Sequence, residues 1–118
     1  MDDMISILKA LSDRNRLKII LALIRCPELC ACQIIELLQV TGATASRHLD
    51  ILFQAGLLDR RKEGRWVYYR LENQEKKLEP LINWIKDEFS KSKNNKKFLA
   101  DLKKAAAYNL ETMCGSKS

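Results

Sequence analysis

Apolar residues recur at helical spacing through the first half of the chain, change period once, and then return to it. Met4, Ile5, Leu8 and Leu11 predict a helix over 3–11. Ser12 reads as the N-cap of a second helix from 13 to about 25, with Asp13 favourable in its first turn. Leu17, Ile20, Leu21 and Ile24 form the stripe that this helix is expected to bury, and Pro27 breaks it. A third helix is predicted over 30–39, with Ile34, Ile35, Leu37 and Leu38 inward. Thr41 caps a fourth, Gly42 belongs to the turn before it, and Ala45, Leu49, Leu52 and Phe53 point inward. Gly56 stops this helix after about Ala55 as a C-cap.

The period then shortens. Residues 57–62 and 65–71 read as two strands joined at Glu63-Gly64, the second rich in aromatic and β-branched residues. Two short strands alone are marginal, so the hairpin must pack on the helices. A fifth helix is expected over about 74–89, with Leu78, Leu81, Ile82, Ile85 and Phe89 on one face. Pro80 requires either a kink or a start near 79. A polar stretch over 90–95 leads to a last helix from 96 to about 113, with Phe98, Leu102, Ala105, Ala106 and Asn109 on one face. The predicted fold is mainly α with a small two-stranded β-hairpin. Residues 1–90 form the main domain, and 91–118 a C-terminal linker and helical extension.

With 118 residues the chain can bury one core without a disulfide scaffold. The longest apolar run, residues 19–24, is far too short to span a bilayer. The acidic opening Met1-Asp2-Asp3-Met4 lacks the basic region of a signal peptide, so the expected compartment is the cytosol. There, four cysteines read as thiols or metal ligands rather than structural disulfides.

The net charge of +6 is unevenly spread. Residues 1–40 are neutral, whereas the segment 41–71 carries six basic and three acidic side chains, clustered between Arg60 and Arg65. A basic cluster at a loop tip suits an anionic partner such as nucleic acid. Two short helices separated by a Thr-Gly turn and followed by a basic hairpin make a winged helix-turn-helix. Its second helix must enter the major groove with small, hydrogen-bonding residues on its exposed face. Thr41, Thr44, Ser46, Arg47 and His48 are the candidates there. Arg60, Arg61, Lys62 and Arg65 of the hairpin would meet the DNA backbone or minor groove. His48 has the alternative of a packing role, and Arg47 that of an ion pair with Asp50. Trp66, Tyr68 and Tyr69 read as core and wing packing.

The run Thr41-Gly42-Ala43-Thr44-Ala45-Ser46-Arg47-His48-Leu49-Asp50-Ile51-Leu52, then Ala55-Gly56-Leu57-Leu58, then Glu63-Gly64-Arg65-Trp66-Val67-Tyr68-Tyr69-Arg70-Leu71, resembles the ArsR/SmtB family of metal-responsive bacterial repressors. The resemblance covers about residues 4–89. It implies a homodimer built largely from the first and fifth helices, which binds double-stranded operator DNA at an imperfect inverted repeat until an inducer releases it. Glu28-Leu29-Cys30-Ala31-Cys32 is similar to the Cys-x-Cys motif of the family's arsenite and cadmium/lead sensors, which makes Cys30 and Cys32 thiolate ligands. The third cysteine common in the arsenic repressors is Ile35 here, and no cysteine precedes Cys26. The family's other site, on the fifth helix, needs a histidine that residues 72–89 lack.

Trivalent arsenic and antimony favour three sulfur ligands, and cadmium and lead also favour thiolate. Two candidates remain for a third ligand: Cys26, four residues before Cys30, and Cys114 at the end of the last helix. Residues two apart on a regular helix point to nearly opposite sides, about 100° per residue. Either the first turn of the third helix is irregular at Cys30, or binding unwinds it. The leading expectation is a repressor released by As(III) or Sb(III), with Cd(II) or Pb(II) sensing as the alternative inducer class. A thiol-redox sensor and a constitutive DNA-binding module are the readings from other classes. An enzyme is not expected, since one histidine offers no nucleophile–base pair and no phosphate-binding Gly loop is present.

Overall fold

The computed structural model describes residues 1–72, 76–93 and 95–107. Among these described residues, six helices and three strands follow one another as α1 (Asp2–Leu11), α2 (Arg14–Arg25), β1 (Leu29–Cys30), α3 (Ala31–Leu38), α4 (Gly42–Gln54), β2 (Leu58–Glu63), β3 (Trp66–Leu71), α5 (Glu79–Ser90) and α6 (Asn95–Ala106). The winged helix-turn-helix is therefore the observed architecture. α3 and α4 are joined by a tight turn through Gln39, which adopts the left-handed conformation at φ 55°.

The helix boundaries follow their caps. The side chain of Asp13, not Ser12, caps α2 by accepting the Arg16 N–H at 3.0 Å. Ser12 instead closes α1, its hydroxyl donating to the Lys9 carbonyl at 3.0 Å. Thr41 caps α4 as expected, accepting the Thr44 N–H at 3.1 Å. Gly42 lies within the first turn of α4 rather than before it, 3.7 Å from Ile35 at the position a Cβ would occupy. Gly56 follows α4 at φ +83°, a conformation that glycine adopts without steric cost. Pro80 sits in the first turn of α5, where its missing N–H is harmless, so the helix starts at Glu79 and not near 74. The expected extension of the last helix beyond 107 lies outside the described residues.

α2 is the hub. Ile19, Ile20, Ala22 and Leu23 are buried, while Leu17, Leu21 and Ile24 of the expected stripe are half-buried toward α5 and α6. Around them close Ala10 and Leu11, Ile34, Leu37 and Leu38, Leu49 and Leu52, and Leu57, Leu58 and Tyr69. Phe98, Leu102 and Ala105 of α6 join the same core, and the Gln33 carboxamide of α3 donates to the Ala106 carbonyl at 3.2 Å. Truncating a fully buried side chain such as Leu49 to Ala costs about 2–5 kcal/mol in such a setting.

The sheet holds a strand that periodicity did not reveal. β1 is two residues long and pairs antiparallel with β3, giving the order β1-β3-β2. Cys30 lies opposite Tyr68, and Leu29 opposite Tyr69. The hairpin tip is Gly64-Arg65, one residue later than expected, because Glu63 pairs with Trp66. Gly64 at φ +63° takes the first central position, where hairpins of type II′ place glycine.

Candidate nucleic-acid interface and thiol site

α4 presents Gly42, Ala43, Ser46, Arg47 and Asp50 to solvent on the face opposite Ala45, Leu49 and Leu52. Thr41 and Thr44 are occupied locally: their hydroxyls bond each other at 3.0 Å while Thr41 caps the helix. Arg47 does not pair with Asp50, which is taken by Arg60 at 3.5 Å. Among the described residues Arg47 and Lys62 have no ion-pair partner.

His48 corrects an expectation. It is 5% exposed and turned into the junction of α1, α2 and α4, away from the face that Ser46 and Arg47 share. At helical spacing 48 follows the inward positions 45 and 49, so its packing alternative is the one realised. Its Nδ1 lies 3.1 Å from an Arg16 guanidinium nitrogen and 3.9 Å from the Asp13 carboxylate. The backbone N–H of Arg16 holds the Asp13 carboxyl below its ordinary value, against the opposing effect of burial.

The wing's cations are unequal. Arg61 grips both oxygens of Glu28 at 2.9 Å and also bonds Glu63, while its guanidinium lies over the Tyr68 ring. These carboxylates push the Arg61 pKa upward, and the Arg61 hydrogen bond pulls that of Glu28 down. Arg70 pairs with Asp59 at 2.7 Å and lies 3.8 Å from Glu28. Arg60 stacks 3.9 Å from the Phe53 ring centre, and Arg65 sits over Trp66 at the tip. Lys62 and Arg65 remain exposed. Glu28 as the anchor of the wing was not foreseen; its partners lie 33 and 42 residues away in sequence, and no local pattern signals them.

Cys30 ends β1 and is the N-cap of α3, so α3 begins at Ala31 rather than at Cys30. Its backbone is extended, its N–H donates to the Gln33 side chain at 2.8 Å, and it is 1% exposed. Of the two alternatives, an irregular start at Cys30 or unwinding on binding, the structure has Cys30 outside the helix. Cys32 lies half-buried in the first turn of α3. Cys26 and Cys30 are free thiols, whereas Cys32 is a disulfide sulfur, whose service as a ligand requires reduction. Cys26, the C-cap of α2, is half-buried. Among the described residues no three His, Cys, Asp or Glu side chains gather as a metal-binding group, so Cys26 is not assembled with Cys30 and Cys32. Cys114 lies outside the described residues. Burial pushes the phenol of Tyr68 upward, and charge on Cys30 acts in the same direction.

Residues 13–60 match the family model described as bacterial regulatory protein, arsR family. The cadmium resistance regulatory protein CadC of Listeria innocua is 46% identical over 65 residues, 55% of either chain. The arsenical resistance operon repressor of Escherichia coli is 45% identical over 67 residues, 57% of either chain. The matches thus span little more than half the length of these relatives. Among solved structures, the homodimeric winged helix-turn-helix DNA-binding domain Mb0332 of Mycobacterium bovis, a possible ArsR-family regulator, superposes with a TM-score of 0.62 at 31% identity. It covers 74% of this chain and 81% of that one. The chain belongs to the arsR family of bacterial regulatory proteins, which are DNA-binding transcriptional regulators and not enzymes.

Proposed function

We propose that the chain is a cytoplasmic, homodimeric repressor that binds an imperfect inverted repeat in operator DNA and is released when As(III) or Sb(III) binds cysteine thiolates. The observation that carries this reading is the position of Cys30. It is at once a strand partner of the wing through Tyr68 and the cap of the first helix of the DNA-reading unit. A ligand drawing Cys30 and Cys32 together acts on both DNA-contacting elements within one residue of the same point. Inducer binding then favours a state whose reading heads no longer fit the half-sites. The relatives named for arsenical and cadmium resistance support a thiophilic inducer, with Cd(II) or Pb(II) as the alternative.

Cys30 and Cys32 supply two sulfurs, and Cys26 or Cys114 the third. Binding displaces thiol protons and displaces Cys30 from its capping position. On the DNA side, Ser46 and Arg47 reach base edges or phosphate, and Lys62 and Arg65 phosphate. Thr41 and Thr44 keep α4 capped at the groove, and Arg60 and Arg61 contribute once their carboxylate partners yield. The dimer is supported by the apolar stripe Met4, Ile5 and Leu8 on α1, with Leu8 58% exposed, and by Trp84 of α5 at 61%. Such large exposed apolar side chains mark an association surface. No helix among the described residues is long and apolar enough to cross a membrane.

The test is stoichiometric binding of arsenite, antimonite, cadmium and lead to the reduced protein and to Cys26→Ser, Cys30→Ser, Cys32→Ser and Cys114→Ser. Tight binding lost in the Cys30 and Cys32 variants and in one of the other two establishes the three-sulfur site. Binding that survives both Cys30→Ser and Cys32→Ser refutes it. Cys32, half-buried in the first turn of α3, favours one second reading, a thiol-redox sensor in which Cys30 or Cys32 is oxidised. It predicts DNA release by disulfide reagents in the absence of any metal, reversed by reductant.

A further inference from the structure

We propose that Arg16 and His48 are positioning residues for DNA reading: they fix the angle of α4 against α1 and α2, and so govern recognition of sequence rather than of phosphate. Arg16 is where three helices meet. Its Nε donates to the Ala10 carbonyl at 2.7 Å, and a second nitrogen lies 3.4 Å from the Lys9 carbonyl. These are carbonyls of the last turn of α1, where a cation is favoured; that of Lys9 also accepts from the backbone N–H and the hydroxyl of Ser12. A third nitrogen reaches His48 Nδ1 of α4 at 3.1 Å. A guanidinium has only donors, so Nδ1 accepts, which places the neutral ring's proton on Nε2. Asp13 secures the other side by capping α2 through the Arg16 N–H. His48 is buried and Arg16 half-buried, so neither belongs to the exposed face that meets DNA.

Ala45, Leu49 and Leu52 seat α4 in the core, and the Arg16–His48 bond adds a directional constraint on its α1 side. A groove of about 480 Å³, lined by Ser6, Lys9, Ala10, Arg47, Asp50 and Gln54 among others, separates α1 from the outer side of α4. The Arg16–His48 bond spans its edge, next to the exposed Arg47. Without it α4 can rock into the groove and carry Ser46 and Arg47 off the base edges. A bidentate base contact does not survive such a change, whereas a phosphate contact through a long cation does. The inference rests on the DNA-binding reading and is independent of the cysteines.

The experiment uses the full chain and two probes: a duplex selected by the wild type from a randomised pool, and a shuffled duplex of the same length and composition. Affinities are measured against salt for wild type, His48→Ala, His48→Asn and Arg16→Lys, with thermal unfolding of each. His48→Ala is expected to weaken the selected duplex about tenfold, as loss of a buried hydrogen bond implies. The shuffled duplex should change by less than about twofold, with the salt slope unaltered, because no phosphate contact is lost. His48→Asn keeps an acceptor near Nδ1 and should recover most of the loss. Arg16→Lys keeps the charge and most of the stem but not the three-way bond, so it should fold and lose discrimination, even if His48→Ala does not fold.

Equal losses on both duplexes with a reduced slope would make these residues phosphate contacts and overturn the inference. So would full discrimination in Arg16→Lys, or an Asn variant no better than Ala. A wild type that selects no duplex would instead overturn the DNA-binding reading itself.

Discussion

Lys62 and Arg61 are adjacent on the same strand, yet their replacement by Ala should change the salt dependence of DNA binding by different amounts. Each phosphate neutralised by a cation contributes about 0.9 to the slope of log affinity against log salt. In a homodimer Lys62 acts twice, so Lys62→Ala should flatten the slope by about 1.8, or about tenfold in affinity between roughly 50 and 200 mM salt. On the proposed reading, Arg61 meets phosphate already neutralised. Glu28 holds it with two bonds of 2.9 Å and Glu63 with another. Exchanging carboxylate for phosphate releases fewer counterions, so Arg61→Ala should change the slope by less than half as much as Lys62→Ala. Glu28→Gln, which leaves Arg61 only Glu63 as an anionic partner, should steepen it. The assay is fluorescence anisotropy of a labelled duplex over that salt range. Equal slope changes for Arg61→Ala and Lys62→Ala would refute the claim that the ion pairs sort the wing's cations.

Asp13→Ala removes the cap of α2 and should lower stability by about 1 kcal/mol, measurable by urea unfolding. Glu28 has its pKa lowered by Arg61, so its contribution is fully present above its ordinary value near 4.5 and is lost as pH falls through the lower folded value. The stability gap between wild type and Glu28→Gln should therefore be constant near neutrality and close on acidification; a gap that widens in acid would contradict the assignment. Both groups are partly exposed, so solvent screening keeps the gap small. Leu8→Glu should shift sedimentation from dimer to monomer and weaken DNA binding while leaving the helical signal intact, since Leu8 contributes nothing to the core of its own chain.

What could be read from sequence is what local physics decides. Thr41, Gly56 and Pro80 announce helix ends because caps, positive φ and a missing N–H act within a few residues. The hairpin was legible to within one residue, since β-branched and aromatic content signals a strand better than it fixes a tip. β1 was not legible: two residues carry no periodicity, and only pairing with β3 makes Leu29-Cys30 a strand. The position of Cys30 outside the helix follows from that pairing. His48 was misjudged because a polar residue on a reading helix suggests a DNA contact, although its place beside Leu49 on the inward face already argued for burial. Glu28 acts through Arg61 and Arg70, and Arg16 reaches His48, all more than 30 residues away, which composition and spacing cannot reveal.

The central claim is a coupling between cysteine ligation and DNA affinity. Its most direct measurement is the affinity of the reduced protein for its selected duplex, with and without saturating antimonite, in wild type and Cys32→Ser. The account predicts a large loss of affinity in wild type, about tenfold or more for a coupling within the usual range, and none in the variant. Equal loss in both proteins, or an unchanged wild type, would contradict it.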